Sequence, residues 1–321
     1  MEIPSYRPHL LLRNGNANTI FSDVKRNSHK AFPYTRKRLE TPDGDFLDVD
    51  YYRGGNPRIV YILHGLESSS QGSYVVGMAH LLKSRGWDIA AINYRSCSGE
   101  INRTKRIYYA GATDDVDFIL RDFVEEYQEV AMLGFSFGGS LTLRYAGEQK
   151  DQLHPHIKVL TAVSVPLDLA ACSDRLDNLS SNYVYKRIFL QSFREKVRAK
   201  FHQFPDTFYE AKLKEVKTIF DFDNIFTGPL HGFPTAEAYY EGCSSMTLIP
   251  HIQRPTLILN AQDDPFLAKG DYRPYVEPNP LIHMPEIPYG GHVGFSYLTR
   301  GYNWMQRVVS DWMEEAIAQK G

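Results

Sequence analysis

Cysteine is scarce in this chain. Three occur in 321 residues, Cys97, Cys172 and Cys243, odd in number and far apart. That argues against a disulfide framework or a zinc site and suits a reducing cytoplasm. Long apolar runs are missing as well: no stretch approaches ~20 apolar residues, so no membrane span is expected. An excess of one charge is also lacking. With 36 Lys and Arg against 38 Asp and Glu, the net charge of −2 offers no bulk attraction for nucleic acid. No internal repeat or low-complexity tract stands out. The opening Met1–Pro8 lacks the charged-then-apolar layout of a signal peptide, and a cytoplasmic location is expected. Nothing in the sequence sets an oligomeric state.

What is present is an alternation of buried-strand and helix patterns. Residues 1–33 read as an irregular N-terminal arm. Pro42-Asp43-Gly44-Asp45 is a hairpin turn signal between Arg38–Glu40 and Phe46–Tyr52. Arg58–Leu63, Asp88–Tyr94, Glu129–Leu133, Lys158–Ser164 and Thr256–Ala261 are short, nearly continuous apolar runs that suit buried parallel strands. Leu281–Ile287 is a poorer strand, limited by Pro285 to an edge or an end. Helices are expected over Tyr74–Ser84, Asp114–Tyr127, the residues after Gly138, and Trp304–Gln319. This order predicts a mostly parallel sheet covered on both faces. The regularity breaks between Cys172 and Ile249, where the chain is helical in pattern and rich in Tyr, Phe and Lys. The expected organisation is an arm (1–33), an α/β core (34–171 and 250–321) and a helical cap (172–249) over the sheet's C-terminal edge, where open α/β sheets bind ligands.

Gly134-Phe135-Ser136-Phe137-Gly138 fits Gly-x-Ser-x-Gly, a pattern that also occurs by chance. Its context is a strand before and a helix after, as a nucleophile elbow needs. The glycines let strand and helix cross beside the serine. A serine nucleophile requires a base, an orienting acid and donors for the developing oxyanion, with the acid and then the histidine later in the chain. Asp263 and Asp264 both follow the strand Thr256–Ala261. Asp264 is preferred because Pro265 biases it toward an extended conformation; each could otherwise be a solvated turn carboxylate or a helix cap. Only His283 and His292 lie beyond. His283 sits inside a strand-like run, whereas His292 lies in the flexible turn Tyr289–Phe295, whose glycines can aim it back across the sheet. The oxyanion donors are expected to be the Phe137 amide and, after Gly65, the Leu66 amide. His64 reads as a hydrogen-bonded structural histidine.

More specific stretches are Asn93-Tyr94-Arg95-Ser96-Cys97-Ser98-Gly99, Ala110-Gly111-Ala112-Thr113-Asp114-Asp115, Val163–Leu169, Tyr239-Tyr240 with Ser244-Ser245, Leu259–Pro265 and Gly290–Phe295. In these the chain resembles the α/β-hydrolases, and within them the bacterial YheT-type group related to eukaryotic α/β-hydrolase-domain esterases. The resemblance runs from about residue 15 onward. It implies an α/β-hydrolase fold, a Ser136–Asp264–His292 triad and carboxylesterase- or lipase-like activity. Two departures are visible. Asn16-Ala17-Asn18-Thr19-Ile20 stands where the family arm carries His-Leu-Gln-Thr, and Ser96 stands where relatives carry glycine. Neither falls on the triad, and both are expected at the pocket rim.

The reading is therefore cleavage of a small ester, with an apolar acyl part, through an acyl-enzyme and without metal or organic cofactor. Acyl transfer to an alcohol by the same triad is the alternative, and a non-catalytic binding member of the fold is a more distant one. In the cap, Phe189, Phe193, Val197 and Phe201 recur at four-residue spacing among Lys186, Arg187, Arg194, Lys196, Arg198 and Lys200. Such a helix can lie weakly on an anionic membrane; the plainer expectation is that its stripe packs inward and its cations are solvated.

Overall fold

In the computed structural model, which describes residues 2–26, 31–208, 210–299 and 301–319, the turn at Gly44 folds β1 (Thr35–Glu40) back on β2 (Phe46–Tyr52). The register sets Leu39 opposite Leu47. The sheet continues with β3 (Arg58–Leu63), β4 (Asp88–Asn93), β5 (Glu129–Phe135), β6 (Ile157–Val163), β7 (Thr256–Leu259) and the two-residue β8 (Ile282–His283). Its order is β1-β2-β4-β3-β5-β6-β7-β8. β2 runs antiparallel to β1 and β4, and every later pairing is parallel. Ile59–Leu63 and Val130–Leu133 are wholly buried, as strands covered on both faces require. The poor strand expected over 281–287 pairs at Ile282 and His283, then meets the sheet again only through an Ala261–Ile287 bridge.

The arm departs from expectation. It holds a 3-10 turn at Leu10–Leu12 and a helix, α1 (Gly15–Arg26). The buried positions of α1 are Gly15, Asn18 and Ser22, while Ile20 and Val24 are exposed. This helix is seated by polar contacts: its apolar residues Ala17, Ile20, Phe21 and Val24 recur at helical spacing, but Ile20 and Val24 face solvent, so the apolar stripe does not mark the packed side.

α2 (Ser73–Ser84) covers one face of the sheet, and α3 (Thr113–Phe123) and α4 (Phe137–Gln149) cover the other. Between β6 and β7 the chain is helical, with α5 (Leu169–Asn178), α6 (Tyr183–Phe201) and α7 (Ala236–Cys243) as its longest elements. This cap has its own apolar cluster, which includes Leu190, Phe193, Val197, Phe208, Phe222 and Phe226. The last helix, α8 (Trp304–Ala318), closes the face occupied by α2. No helix among the described residues is long and apolar enough to cross a membrane.

The stripe on α6 points inward: Phe193 and Val197 are buried, Phe189 lines the cavity beneath, and only Phe201 reaches the surface. Most of its cations are not solvated as expected. Lys196 pairs with Glu67, Lys200 bonds the Thr104 and Asn102 carbonyls, Arg194 bonds the Val216 carbonyl and Lys186 the Asp177 carbonyl. A charged side chain on a long stem can reach back past its own helix to a carbonyl that needs a donor.

Candidate active site

β5 ends at Phe135 and α4 begins at Phe137, which leaves Ser136 alone on the turn with φ 52°. That left-handed conformation is costly for a residue with a side chain, and it is what lifts the hydroxyl off the sheet edge. The turn also needs glycine. A Cβ on Gly134 would stand 2.2 Å from the Gly138 carbonyl oxygen, and one on Gly138 would stand 2.3 Å from that of Leu63.

Ser136 Oγ lies 2.9 Å from His292 Nε2, and His292 Nδ1 lies 2.9 Å from Asp264 Oδ2 and 3.1 Å from Oδ1. The three residues left separate strand ends and meet in one hydrogen-bonded chain. Asp264 is buried, and its Oδ1 also accepts from the Phe266 amide at 2.8 Å. The Phe266 ring covers the imidazole with centroids 4.3 Å apart, which limits the positions the ring can take. Asp263 faces elsewhere: its Oδ1 accepts from the Gly291 amide at 2.8 Å, and burial pushes its pKa up. His283 stacks on Trp312 at 5.7 Å on the far edge of the sheet.

Three successive amides of the histidine turn are held by side-chain oxygens from three elements. Gly291 N–H donates to Asp263, His292 N–H to Thr19 Oγ1 at 2.8 Å, and Val293 N–H to Ser164 Oγ at 2.8 Å. The turn needs this support, because Val293 and Phe295 both have positive φ. Thr19 belongs to the arm. The departure at Asn16–Ile20 therefore lies behind the imidazole rather than at the pocket rim. Ser96 does line the cavity, and its φ of 63° explains how glycine can stand there in relatives.

The loop after β3 approaches Ser136 closely, since a Cβ on Gly65 would meet the Ser136 Cβ at 3.1 Å. The flanking amides are occupied: Gly65 N–H donates to Tyr74 Oη at 2.8 Å and Glu67 N–H to Tyr108 Oη at 3.0 Å. The Leu66 and Phe137 amides meet no acceptor among the described residues. His64 is fully buried between the Gly65 carbonyl and the Tyr94 amide, and burial pushes its pKa down to about 3, so it is neutral. Glu67 links this loop to the cap, taking Tyr108 Oη at 2.5 Å, Lys196 Nζ at 2.8 Å and the Ser192 hydroxyl. Glu67, Tyr74 and Tyr108 were not marked by the sequence as site residues, and Thr19 was marked only as part of the arm stretch Asn16–Ile20; only the fold brings them to the site.

Ser136 and His292 open into a cavity of about 1110 Å³, mouth included, that extends under the cap. Its wall is mostly apolar in surface and includes Phe189, Phe193, Phe208, Ile219 and Phe222; charged side chains also line it, among them Glu67, Arg95, Lys196, Lys200 and Asp223. Burial holds the Lys200 pKa down at about 8 and pushes that of Asp223 up to about 6. Among the described residues no group of three His, Cys, Asp or Glu side chains is arranged to hold a metal ion.

A mostly parallel sheet flanked by helices, with a serine elbow at the end of its central strand, defines the class. Residues 58–295 match the family described as alpha/beta hydrolase fold, and the chain belongs to it. YheT of Escherichia coli (strain K12), an esterase by name, is 34% identical over 96% of this chain and 92% of its own. The monoacylglycerol lipase of Saccharomyces cerevisiae is 30% identical over 82% of this chain and 60% of its own, and human phospholipase ABHD3 is 27% identical over 98% and 79%. An esterase structure from Pyrococcus furiosus superposes with TM-score 0.56 at 16% identity, covering 88% of this chain and 91% of that one, which speaks for the fold alone. These relatives mark the chain as a hydrolase of the esterase and lipase kind.

Proposed function

We propose that the protein cleaves carboxylic esters with an apolar acyl part, through an acyl-enzyme on Ser136. The observation that carries this is the unbroken hydrogen-bonded chain Ser136–His292–Asp264 opening into an apolar cavity. In this reading His292 Nε2 takes the Ser136 proton as Oγ attacks the ester carbonyl. Asp264 fixes the tautomer and stabilises the imidazolium. The Leu66 and Phe137 amides receive the oxyanion. The alcohol leaves with the proton from His292, and water repeats the sequence on the acyl-enzyme. No metal or cofactor enters these steps. Residues 172–249 act as the cap, and their aromatic wall takes the acyl chain. Relatives named as a monoacylglycerol lipase and a phospholipase support an apolar lipid-like ester.

A reducing, cytoplasmic setting suits three cysteines that are all free and buried, their pKa values pushed up by burial. Contact with an anionic membrane would fall on the outer face of α6, where Tyr183, Val184 and Ile188 are exposed beside Arg187. Co-sedimentation with anionic vesicles at low but not high salt tests it.

The deciding experiment pairs fluorophosphonate labelling with a series of p-nitrophenyl esters of graded chain length. Labelling at Ser136 and turnover of the esters are expected; an unlabelled, inactive but folded protein would rule the reading out. Product analysis with added ethanol separates hydrolysis from acyl transfer.

A further inference from the structure

The arm touches both partners of the serine. The start of α1 presses on the acid loop, where a Cβ on Gly15 would fall 1.8 Å from the Asp263 carbonyl oxygen. One turn on, Thr19 Oγ1 donates to the Gly15 carbonyl at 2.7 Å and accepts the His292 amide at 2.8 Å. Its own donor is thus spent within the helix, and a lone pair is left aimed at the histidine turn. Gly291 fits because a Cβ there would meet the Gly15 carbonyl oxygen at 2.4 Å and Thr19 Oγ1 at 2.7 Å. Further along, Asn18 Oδ1 accepts the Ser296 amide at 3.1 Å while its Nδ2 donates to the Leu12 carbonyl at 3.0 Å and to Tyr6 Oη at 3.1 Å. Tyr6 Oη returns to the Ser296 carbonyl at 2.5 Å, and Lys25 Nζ bonds the Tyr297 and Thr299 carbonyls.

These contacts share a target. They run along residues 291–299, a segment with little regular structure of its own, which carries His292 and two positive-φ side-chain residues. The core side supplies the rest of the hold, through Ser164 and Asp263 and, at the start of α8, through the Asn303 side chain and the Trp304 amide, which bond the Gly294 and Phe295 carbonyls. A turn of that kind keeps its shape only where its surroundings over-determine it. The imidazole must stay within hydrogen-bond reach of both Ser136 and Asp264, so the backbone that carries it must not drift.

Resting on the assignment of Ser136, His292 and Asp264 as the catalytic chain, we propose that α1 is a positioning element of the active site and Thr19 its key positioning residue. Thr19 touches no substrate. It sets the imidazole through the His292 amide, and α1 holds the rest of the turn in register.

The test compares Thr19→Val, which keeps the shape and loses the acceptor, with Thr19→Ser and Ser22→Ala. Ser22 is buried in the same helix and bonds Asn18 at 3.3 Å without reaching the histidine turn. Thr19→Val is expected to lower kcat roughly 10- to 100-fold with KM unchanged, the size a small misplacement of a catalytic group produces. The pH profile of its kcat/KM should change as well, because the imidazole is no longer held against Asp264. Thr19→Ser should restore both. Ser22→Ala should lower Tm and leave kcat and the pH profile alone. A Thr19→Val enzyme with wild-type kcat and pH profile overturns the proposal. So does a Ser22→Ala enzyme that loses as much kcat at the same loss of Tm. Should Thr19→Val not fold, Thr19→Ala is read by the same criteria. Fluorophosphonate labelling of the wild type comes first: without it the catalytic reading itself fails, whereas labelling at an equal rate in wild type and Thr19→Val overturns only the role of α1.

Discussion

In the core, β3 and β5 are packed on both sides until no side-chain surface is left between Ile59 and Leu63 or between Val130 and Leu133. In the cap, nine apolar residues gather into a cluster of similar chemistry, yet several of them line a cavity instead of closing it. Close packing is what a domain does by default, since an unfilled space forfeits contacts along its whole lining. The core obeys this, and the strand ends it fixes are where Ser136, Asp264 and His292 meet. The cap leaves the space open, next to those residues. Under the proposed function, the contrast would give the chemistry to the core and the choice of substrate to the cap, and each part of that proposal can be broken separately.

The largest effect should come from the core. Ser136→Ala and His292→Ala are each expected to remove activity by about 10⁴-fold or more while leaving the fold intact, by analogy with other serine triads. Asp264→Asn should approach that loss, because the wrong tautomer then faces the serine. Asp263→Asn should cost far less, since Asp263 supports the Gly291 amide and not the imidazole. Steady-state kinetics on one soluble ester, with circular dichroism to check folding, decides. Equal losses at 263 and 264 would mean that the turn matters as much as the acid.

Next in size is the oxyanion pocket. Phe137→Pro deletes one of the two unoccupied amides and should cost roughly 3 kcal/mol of transition-state stabilisation, read from kcat/KM. Full activity in a folded variant would exclude that donor.

A smaller, differently shaped effect is expected from the cap. Phe222→Ala widens the cavity wall, and Val197→Phe fills it. The chain-length profile on p-nitrophenyl esters should shift to longer chains in the first and shorter chains in the second. Ratios should change by about 10-fold per methylene at least near the cavity's end, and the rate on the shortest ester should stay near that of the wild type. A uniform loss at every length would instead tie the cap to the chemistry.

The smallest effect concerns Asp223. Burial raises its pKa to about 6, above the ordinary carboxylate value. Its protonated form therefore favours the folded state, so this contribution is full at pH below about 4 and is lost as pH rises through about 6. Asp223→Asn, which cannot ionise, should flatten that part of a Tm-against-pH curve. An unchanged curve would show that the cavity solvates the carboxylate well enough to keep it ionised in the fold.

Much of the core was legible because its signals are local. Apolar runs mark β3 to β7, and the glycines around Ser136 mark a turn too tight for a side chain. Asp264 could be preferred over Asp263 only by way of Pro265, and the structure adds what the sequence lacked: Asp263 is turned toward Gly291. The seating of helix α1 was illegible for a physical reason. Its inner face is Gly15, Asn18 and Ser22, while Ile20 and Val24 of its apolar stripe are exposed, so the periodic pattern points away from the packed side. The same holds for Lys196 and Lys200. Their spacing placed them on a helix, but whether an ammonium turns outward to water or inward to a carbonyl depends on loops more than ninety residues away in the chain.

The Glu67 junction bears on how such proteins can be rebuilt. Its carboxylate joins the residue beside Leu66 to Tyr108, Lys196 and Ser192, so one side chain spans two otherwise separable parts. A graft that exchanges residues 172–249 for the lid of a cousin would import new specificity only if the donor brings matching groups for that carboxylate. Otherwise the transplant leaves an acid stranded next to the loop that must hold still. Lineages that shuffle their lids would then be expected to change this acid and its partners together, as a single inherited joint.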